Sequence, residues 1–335
     1  MARSYSAAKG GTATKIQDPG ILGSITRFWQ RSYAADYVGF ALLLTGYIFL
    51  EMIAEPFHRM FSLDNIAIQF PFAEVERVPS IWNIVYAGGL PLTLLLLWAL
   101  VFRPGVHKAH VSILGLLVSL IFASFLTNII KNAVGRPRPD LIARCIPKKG
   151  TPEHALVTIE VCTQTNHHRL HDGWRSFPSG HSSFAFSGLG YLALYVDQPT
   201  FRPLWHTDDL RFLAGQMHVF RPRTDLARVL LALAPLIGAA LIAISRCEDY
   251  RHDVYDVTVG SLLGLLVAYF SYRRYYPSLK SHRCDTPYPS RADTALERGY
   301  GRRRDEEELV TSPKGFEIDD MEDDSDHVPL TAPRG

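Results

Sequence analysis

The chain has 335 residues, 47% of them hydrophobic, with 35 Lys and Arg against 33 Asp and Glu, a formal charge of +2. So even a balance decides little about partners, but four cysteines are too few for a disulfide scaffold. The apolar residues are gathered into long blocks, which excludes an ordinary soluble core as well.

Met1 to Arg31 is polar and rich in Ala, Gly, Ser and Thr. It has no short apolar core followed by a cleavage site, so the N-terminus is expected to stay cytosolic. Within it Ile21, Leu22, Ile25, Phe28 and Trp29 fall at helical spacing, with Arg27 and Arg31 elsewhere on the wheel, the pattern of a short helix lying on a membrane surface. Val38–Ile53, Ile81–Phe102, Val111–Ile130, Phe184–Val196, Leu226–Ile244 and Val257–Phe270 follow. Each, with its flanks, approaches the roughly 20 residues that cross a hydrocarbon core as a helix. The fourth block is the shortest and holds Ser182, Ser183, Ser187 and two glycines, so a buried helix of a soluble core competes for it. Its five neighbours decide for the membrane.

The predicted fold is therefore all-α and integral to the membrane, with six transmembrane helices in a domain over residues 34–276. Residues 1–33 form a cytosolic N-terminal tail. Residues 277–335 are expected to form a disordered, acidic cytosolic C-terminal tail, whose 301–326 stretch is dense in charge and poor in large apolar side chains.

With the N-terminus cytosolic, the 103–110 and 197–225 loops share its side, while 54–80, 131–181 and 246–255 face the other. Arg27, Arg31, Arg103, Lys108, Arg211, Arg221, Arg223, Arg228, Arg273 and Arg274 obey the preference of cytosolic flanks for positive charge. Lys131, Arg136, Arg138, Arg144, Lys148, Lys149, Arg175, Arg246 and Arg251 break it, and a shared anionic substrate would be a reason. Cys145 and Cys162 fall in one loop on that side and can pair if it meets an oxidising lumen.

Three charged motifs share that face. In Lys131-Asn-Ala-Val-Gly-Arg-Pro-Arg-Pro-Asp140 the lysine ends a span, and Arg138 returns to its helical face if the turn survives Pro137 and Pro139. Snorkelling anchors are the ordinary reading. In Trp174-Arg-Ser-Phe-Pro-Ser-Gly-His-Ser-Ser183 a turn opens a helix whose free N–H groups suit a phosphate. Gly180 permits close approach, Ser179 adds a hydroxyl, and His181 stands at the mouth as a proton donor. A plain N-cap with an interfacial histidine is the ordinary reading. In Ser-Arg-Cys-Glu-Asp-Tyr-Arg-His-Asp-Val-Tyr-Asp-Val, residues 245–257, Arg246 ends a span, and His252 and Asp256 are one helical turn apart. A carboxylate so placed orients an imidazole as a base or nucleophile. Glu248, Asp249, Arg251 and Asp253 read as solvated loop charges.

Each ordinary reading is acceptable alone; three at once on one membrane face are not. K-x6-R-P, P-S-G-H and S-R-x5-H-x3-D, in this order, resemble the signature of the type 2 phosphatidic acid phosphatase superfamily. Lys131, Arg138 and Pro139, then Pro178 to His181, then Ser245, Arg246, His252 and Asp256 match it without substitution. Phe61-Ser-Leu-Asp and Gln69-Phe-Pro-Phe-Ala-Glu-Val-Glu-Arg-Val-Pro79 resemble the first loop of fungal enzymes of the diacylglycerol pyrophosphate phosphatase type. The 197–225 loop is longer and more charged than that likeness leads one to expect.

The resemblance implies hydrolysis of lipid phosphates such as phosphatidic acid, diacylglycerol pyrophosphate and lysophosphatidic acid, at a site on the non-cytosolic membrane interface of an endomembrane or vacuole. His252, held by Asp256, would attack phosphorus to give a phosphohistidine, and His181 would protonate the leaving oxygen. Lys131, Arg138, Ser179, Gly180 and Arg246 would hold the phosphate in place of a metal ion, so neither metal nor other cofactor is expected. The bilayer and a membrane lipid phosphate are the expected partners, with no nucleic acid. His252 with Asp253 and Asp256, or His167, His168 and His171, offer metal-ligand chemistry, yet neither set has ligand spacing backed by a second motif. The alternatives are an isoprenoid pyrophosphate or sphingoid-base phosphate as substrate, a vanadium haloperoxidase, which six spans argue against, and a silent lipid-binding scaffold, which would tend to have lost signature residues.

Overall fold

A computed structural model describes residues 32–196 and 226–279, with Ile25, Phe28 and Trp29 before them and Ser281, Cys284 and 286–294 after them. The rest of the expected surface helix, the 197–225 loop and the acidic 301–326 stretch lie outside the described residues. Among the described residues the regular structure is helical. Its longer elements are α1 (Ala34–Met52), α2 (Ser80–Phe102), α3 (Val106–Val134), α6 (Gly180–Val196), α7 (Leu226–Glu248) and α8 (Val254–Tyr275). Two five-residue helices, α4 (Leu141–Cys145) and α5 (His167–His171), stand between α3 and α6. Among the described residues there are no strands, only the isolated bridges Phe61–Val157 and Pro147–Cys162.

Among the described residues, five helices are long and apolar enough to cross a membrane: α1, α2, α3, Leu230–Glu248 of α7, and α8. The fourth predicted span, α6, has 17 residues and is the most enclosed of them, with Ala185, Leu189, Tyr191, Leu192 and Tyr195 all buried. Its serines and glycines serve that central position. Ser119 of α3 donates to the Ser187 carbonyl at 3.0 Å, and Thr127 donates to the Ser183 hydroxyl at 2.7 Å. Small residues let helix backbones approach closely where lipid supplies no hydrophobic drive between helices. A Cβ on Gly188 would collide with the Ala87 carbonyl of α2, and one on Gly264 with the Ser183 carbonyl. α2 carries a π turn at Val85–Gly89 beside this contact.

The two ends of the bundle differ. At one, Asp36 of α1 is buried and paired with Arg274 of α8 and with Arg291, the latter at 2.7 Å, and Tyr288 donates its N–H to the Tyr275 carbonyl. The expected C-terminal tail thus keeps contact with the bundle as far as Arg291. At the other end residues 54–79 and 135–179 form a cap with its own small core of Phe61, Ile68, Leu141, Cys145, Val157 and Trp174, fastened by a disulfide between Cys145 and Cys162. The three charged motifs all lie at this end of the bundle.

A methyl group at Gly260 would stand 2.6 Å from the Ser179 carbonyl oxygen, whereas one at Gly39 meets nothing within 4 Å. Gly260→Ala should lower stability by roughly 1–3 kcal/mol through overpacking, and Gly39→Ala should not. Thermal unfolding of the detergent-solubilised protein checks the pair.

Candidate active site

α3 carries Lys131 into the cap and ends one turn later at Gly135, whose φ of +56° places it in the left-handed region. A Cβ at Gly135 would also strike the Phe57 carbonyl, so no other residue fits there. The helix therefore stops before Pro137. Arg138 arrives along a loop, its N–H bonded to the Gly173 carbonyl at 2.8 Å, rather than along the continued helical face that the spacing allowed.

Ser179 caps α6. Its hydroxyl accepts from the Ser182 N–H at 3.4 Å and from the Ser182 hydroxyl at 2.9 Å, and its own N–H donates to the Asp256 carbonyl at 2.9 Å, tying α6 to α8. A Cβ added at Gly180 would lie 3.0 Å from Lys131 Nζ, so the lysine ammonium rests against the first residue of α6. α7 delivers Arg246 in its last turn, and the chain folds back so that the N–H groups of Arg251 and His252 both reach the Arg246 carbonyl, at 3.1 and 3.3 Å.

These pieces surround one cavity of about 750 Å3. Lys131, Arg138, Gly180, His181, Arg246 and His252 line one end of it, and Phe40, Leu117, Leu120, Ile121 and Phe184 line the other. Seven of the eight residues expected at the site thus sit in or directly behind the polar end. Ser179 is the exception, because its hydroxyl is spent on the helix cap and it does not line the cavity.

Asp256 stands behind His252, and here the geometry departs from a simple His–Asp hydrogen bond. His252 precedes the helix rather than lying on it: Asp253 is the N-cap of α8 and Asp256 its third residue, the two forming a capping box. His252 Nδ1 is 3.8 Å from the Asp256 carboxylate, too long for a hydrogen bond. The carboxylate instead accepts from Ser176 Oγ at 2.5 Å, Arg136 Nη1 at 2.5 Å and the Asp253 N–H at 3.1 Å. Burial pushes His252 down to about 3, with Asp256 acting in the opposite direction, so the imidazole is neutral at physiological pH.

The cavity holds more cations than the signature supplies. Arg144, Arg169 and Arg251 join its lining, each with its guanidinium over the Phe72 ring, at 4.8, 3.8 and 4.4 Å. Three acids, partly or fully buried, hold this assembly. Asp172 accepts from Arg138 at 2.7 Å and Arg144 at 3.0 Å; Glu76 accepts from Arg246 at 2.8 Å and pairs with Arg251 at 2.9 Å; Asp249 accepts from Arg246 at 2.7 Å. Burial alone would raise Asp172, but Arg138 and Arg144 outweigh it and keep the carboxyl well below its usual range. Asp249 and Arg251 are therefore buried network members and not solvated charges, while Glu248 and Asp253 are about half exposed. Donors remain after this pairing. Arg138 Nε, Arg144 Nη2 and Arg251 Nε, with His181 Nε2, are buried without a hydrogen-bond partner among the described residues. Such a group is what an anion's oxygens would satisfy.

Of the two metal-ligand sets, His252, Asp253 and Asp256 belong to the network just described. The other separates: His168 lines the cavity, while His167 and His171 turn to Glu55.

Residues 112–280 match the model of the PAP2 superfamily. The chain is 39% identical over 268 residues to diacylglycerol pyrophosphate phosphatase 1 of Saccharomyces cerevisiae, covering 78% of this chain and 87% of that one. It is 37% identical over 274 residues to the probable diacylglycerol pyrophosphate phosphatase 1 of Schizosaccharomyces pombe, covering 82% and 90%. To lipid phosphate phosphatase 2 of Arabidopsis thaliana it is 34% identical over 249 residues, covering 74% and 78%. No solved structure matches the chain. With its three motifs converging on one cavity, the chain belongs to the PAP2 superfamily.

Proposed function

We propose that the protein hydrolyses lipid phosphates, with phosphatidic acid and diacylglycerol pyrophosphate as the substrates to test. One observation carries this reading: a single cavity is cationic at one end and apolar at the other, the complement of a phosphate on a long-chain lipid. A soluble phosphate would need only the first end. The names of the fungal and plant relatives point the same way.

In the proposed reaction the neutral His252 attacks phosphorus, the bond to the lipid oxygen breaks, and His181 gives that oxygen its proton. Water then hydrolyses the phosphohistidine, with His181 accepting a proton in its turn. Lys131, Arg138, Arg246 and the α6 N-terminus neutralise the equatorial oxygens. A phosphate held among these cations also supplies the negative charge that favours a protonated His181. Asp256, locked by Ser176, Arg136 and the Asp253 N–H, sets a fixed negative charge behind His252.

We infer further that α6 also crosses the membrane, as the fourth of six spans, and that the cap faces the lumen or exterior of an endomembrane or vacuole. The Cys145–Cys162 disulfide in the cap supports that side, because such bonds persist in oxidising compartments.

Phosphate release from phosphatidic acid and diacylglycerol pyrophosphate in detergent micelles with EDTA should proceed with the wild type and fall to background with His252→Ala. Silence from both would remove the reading. Arg246→Lys keeps the charge but loses the fork that grips Glu76 and Asp249, and turnover should drop by about 100-fold. His181→Ala should cost a lipid substrate about 100- to 10,000-fold and an activated aryl phosphate far less, since that leaving group needs no proton. With His252 neutral down to about pH 3, the kcat/KM profile should be bell-shaped, with an acid limb well below the ordinary imidazole value of about 6.5. Ile121→Trp, in the apolar end, should reduce kcat/KM for long-chain phosphatidic acid while sparing a short-chain soluble phosphate.

A further inference from the structure

A second group of chemistry-bearing side chains lies on the outer face of the cap. Glu55 and His58 are in the segment that follows α1. His167 and His171 are on α5, four residues apart and so on one helical face. One ligand atom from each of Glu55, His167 and His171 lies within 4.8 Å of the others. His167 Nε2 and Glu55 Oε1 are 3.6 Å apart, near the roughly 3.4 Å that separates two ligands of a tetrahedral zinc ion at about 2.0–2.1 Å. The side chains of His167 and Glu55 are 72% and 64% exposed, so an aqueous ion reaches them.

An independent feature supports the cluster. His58 Nε2 and His171 Nδ1 share a hydrogen bond of 2.8 Å, and the His58 ring packs edge-on against the buried Trp174 at 5.0 Å. Metal-binding histidines engage their second ring nitrogen in this way, which fixes the ring and its tautomer. Trp174 in turn donates to the Arg59 carbonyl at 2.9 Å, so the two chain segments are already held together beside the cluster.

We propose that Glu55, His167 and His171, with His58 positioning His171, form a site for a divalent transition-metal ion, Zn2+ in the first instance. Two imidazoles and a carboxylate are borderline donors that favour Zn2+, Cu2+ or Ni2+ over Mg2+ or Ca2+. The bound ion fastens the segment after α1 to α5. The same five-residue helix presents His168 and Arg169 to the substrate cavity and is followed directly by Asp172, the partner of Arg138. The ion therefore clamps the outside of a wall whose inside faces the phosphate. It takes no part in the chemistry, and the site stands whether or not the phosphatase reading does.

The test uses the full-length protein, purified without a polyhistidine tag, stripped with EDTA and exchanged into phosphate-free buffer with detergent. Calorimetric titration with ZnCl2 should show one saturable site per chain that MgCl2 does not fill, and Zn2+ should raise the thermal midpoint. Co2+ should give visible absorption bands of a low-coordinate nitrogen and oxygen site. The double variant His167→Ala/His171→Ala should lose the Zn2+ isotherm and the Co2+ bands, and Glu55→Gln should weaken both. His58→Ala should weaken Zn2+ binding by about 10- to 100-fold. Phosphatase activity in EDTA, or an unchanged metal-free thermal midpoint, shows that each variant is folded. No saturable Zn2+ binding by the wild type, or binding unchanged in the folded double variant, would overturn the proposal.

Discussion

Gathering Lys131, Arg138, Arg144, Arg246 and Arg251 at one end of an apolar bundle is the constraint from which the rest of the site follows. Like charges repel strongly where the dielectric is low, and an isolated buried cation is costly. Asp172, Glu76 and Asp249 make the cluster tolerable, and each holds two partners on different segments: Asp172 bridges Arg138 and Arg144, Glu76 bridges Arg246 and Arg251, and Asp249 bridges Arg246 and Arg77. Glu76 and Asp249 thereby fix the cap to the end of α7, while Asp172 ties together parts of the cap itself. They also leave the cavity with an excess of donors, which a phosphate can satisfy without displacing the whole network.

The scaffold answers to that constraint. α6 must bring its N-terminus beside Lys131, so it runs through the centre of the bundle, where serine and glycine permit contact that larger side chains would prevent. Gly260 packs on the Ser179 carbonyl and Gly264 on that of Ser183, so α8 lies directly against the turn that opens α6. Asp256 is then both the third-residue member of the α8 capping box and the carboxylate behind His252. Helix capping and site electrostatics share one side chain.

Much of this was legible in the sequence. Apolar blocks longer than a soluble core needs marked the five membrane-length helices among the described residues and the enclosed α6, and their order put three motifs at one end. Two local geometries were not legible. The seven-residue spacing from Lys131 to Arg138 reads as two helical turns, but Gly135 ends the helix first. The four-residue spacing from His252 to Asp256 reads as one turn, but Asp253 starts its helix after the histidine. In both places a cap residue overrode the period. The counter-charges were hidden for a different reason: Glu76, Asp172 and Asp249 are remote in sequence from most of their partners, and nothing in a run of loop charges says which will be buried. Glu55 and His58 escaped similarly, because only the folded cap brings them to His167 and His171.

The apolar end of the cavity gives the charged end its meaning. Phe40 of α1, Leu117, Leu120 and Ile121 of α3 and Phe184 of α6 extend the same space away from the cap into the membrane-spanning part of the bundle. A lipid entering it can keep its chains among apolar side chains while only its phosphate changes surroundings, from interfacial water to guanidinium and ammonium groups. The desolvation cost then falls on the phosphate alone, and the fixed cations, already paired and in place, offset it with little reorganisation. This division of labour gives a reason for burying Arg138, Arg144, Arg246 and Arg251 at this end of the bundle. They are arranged for an anion that arrives from the bilayer.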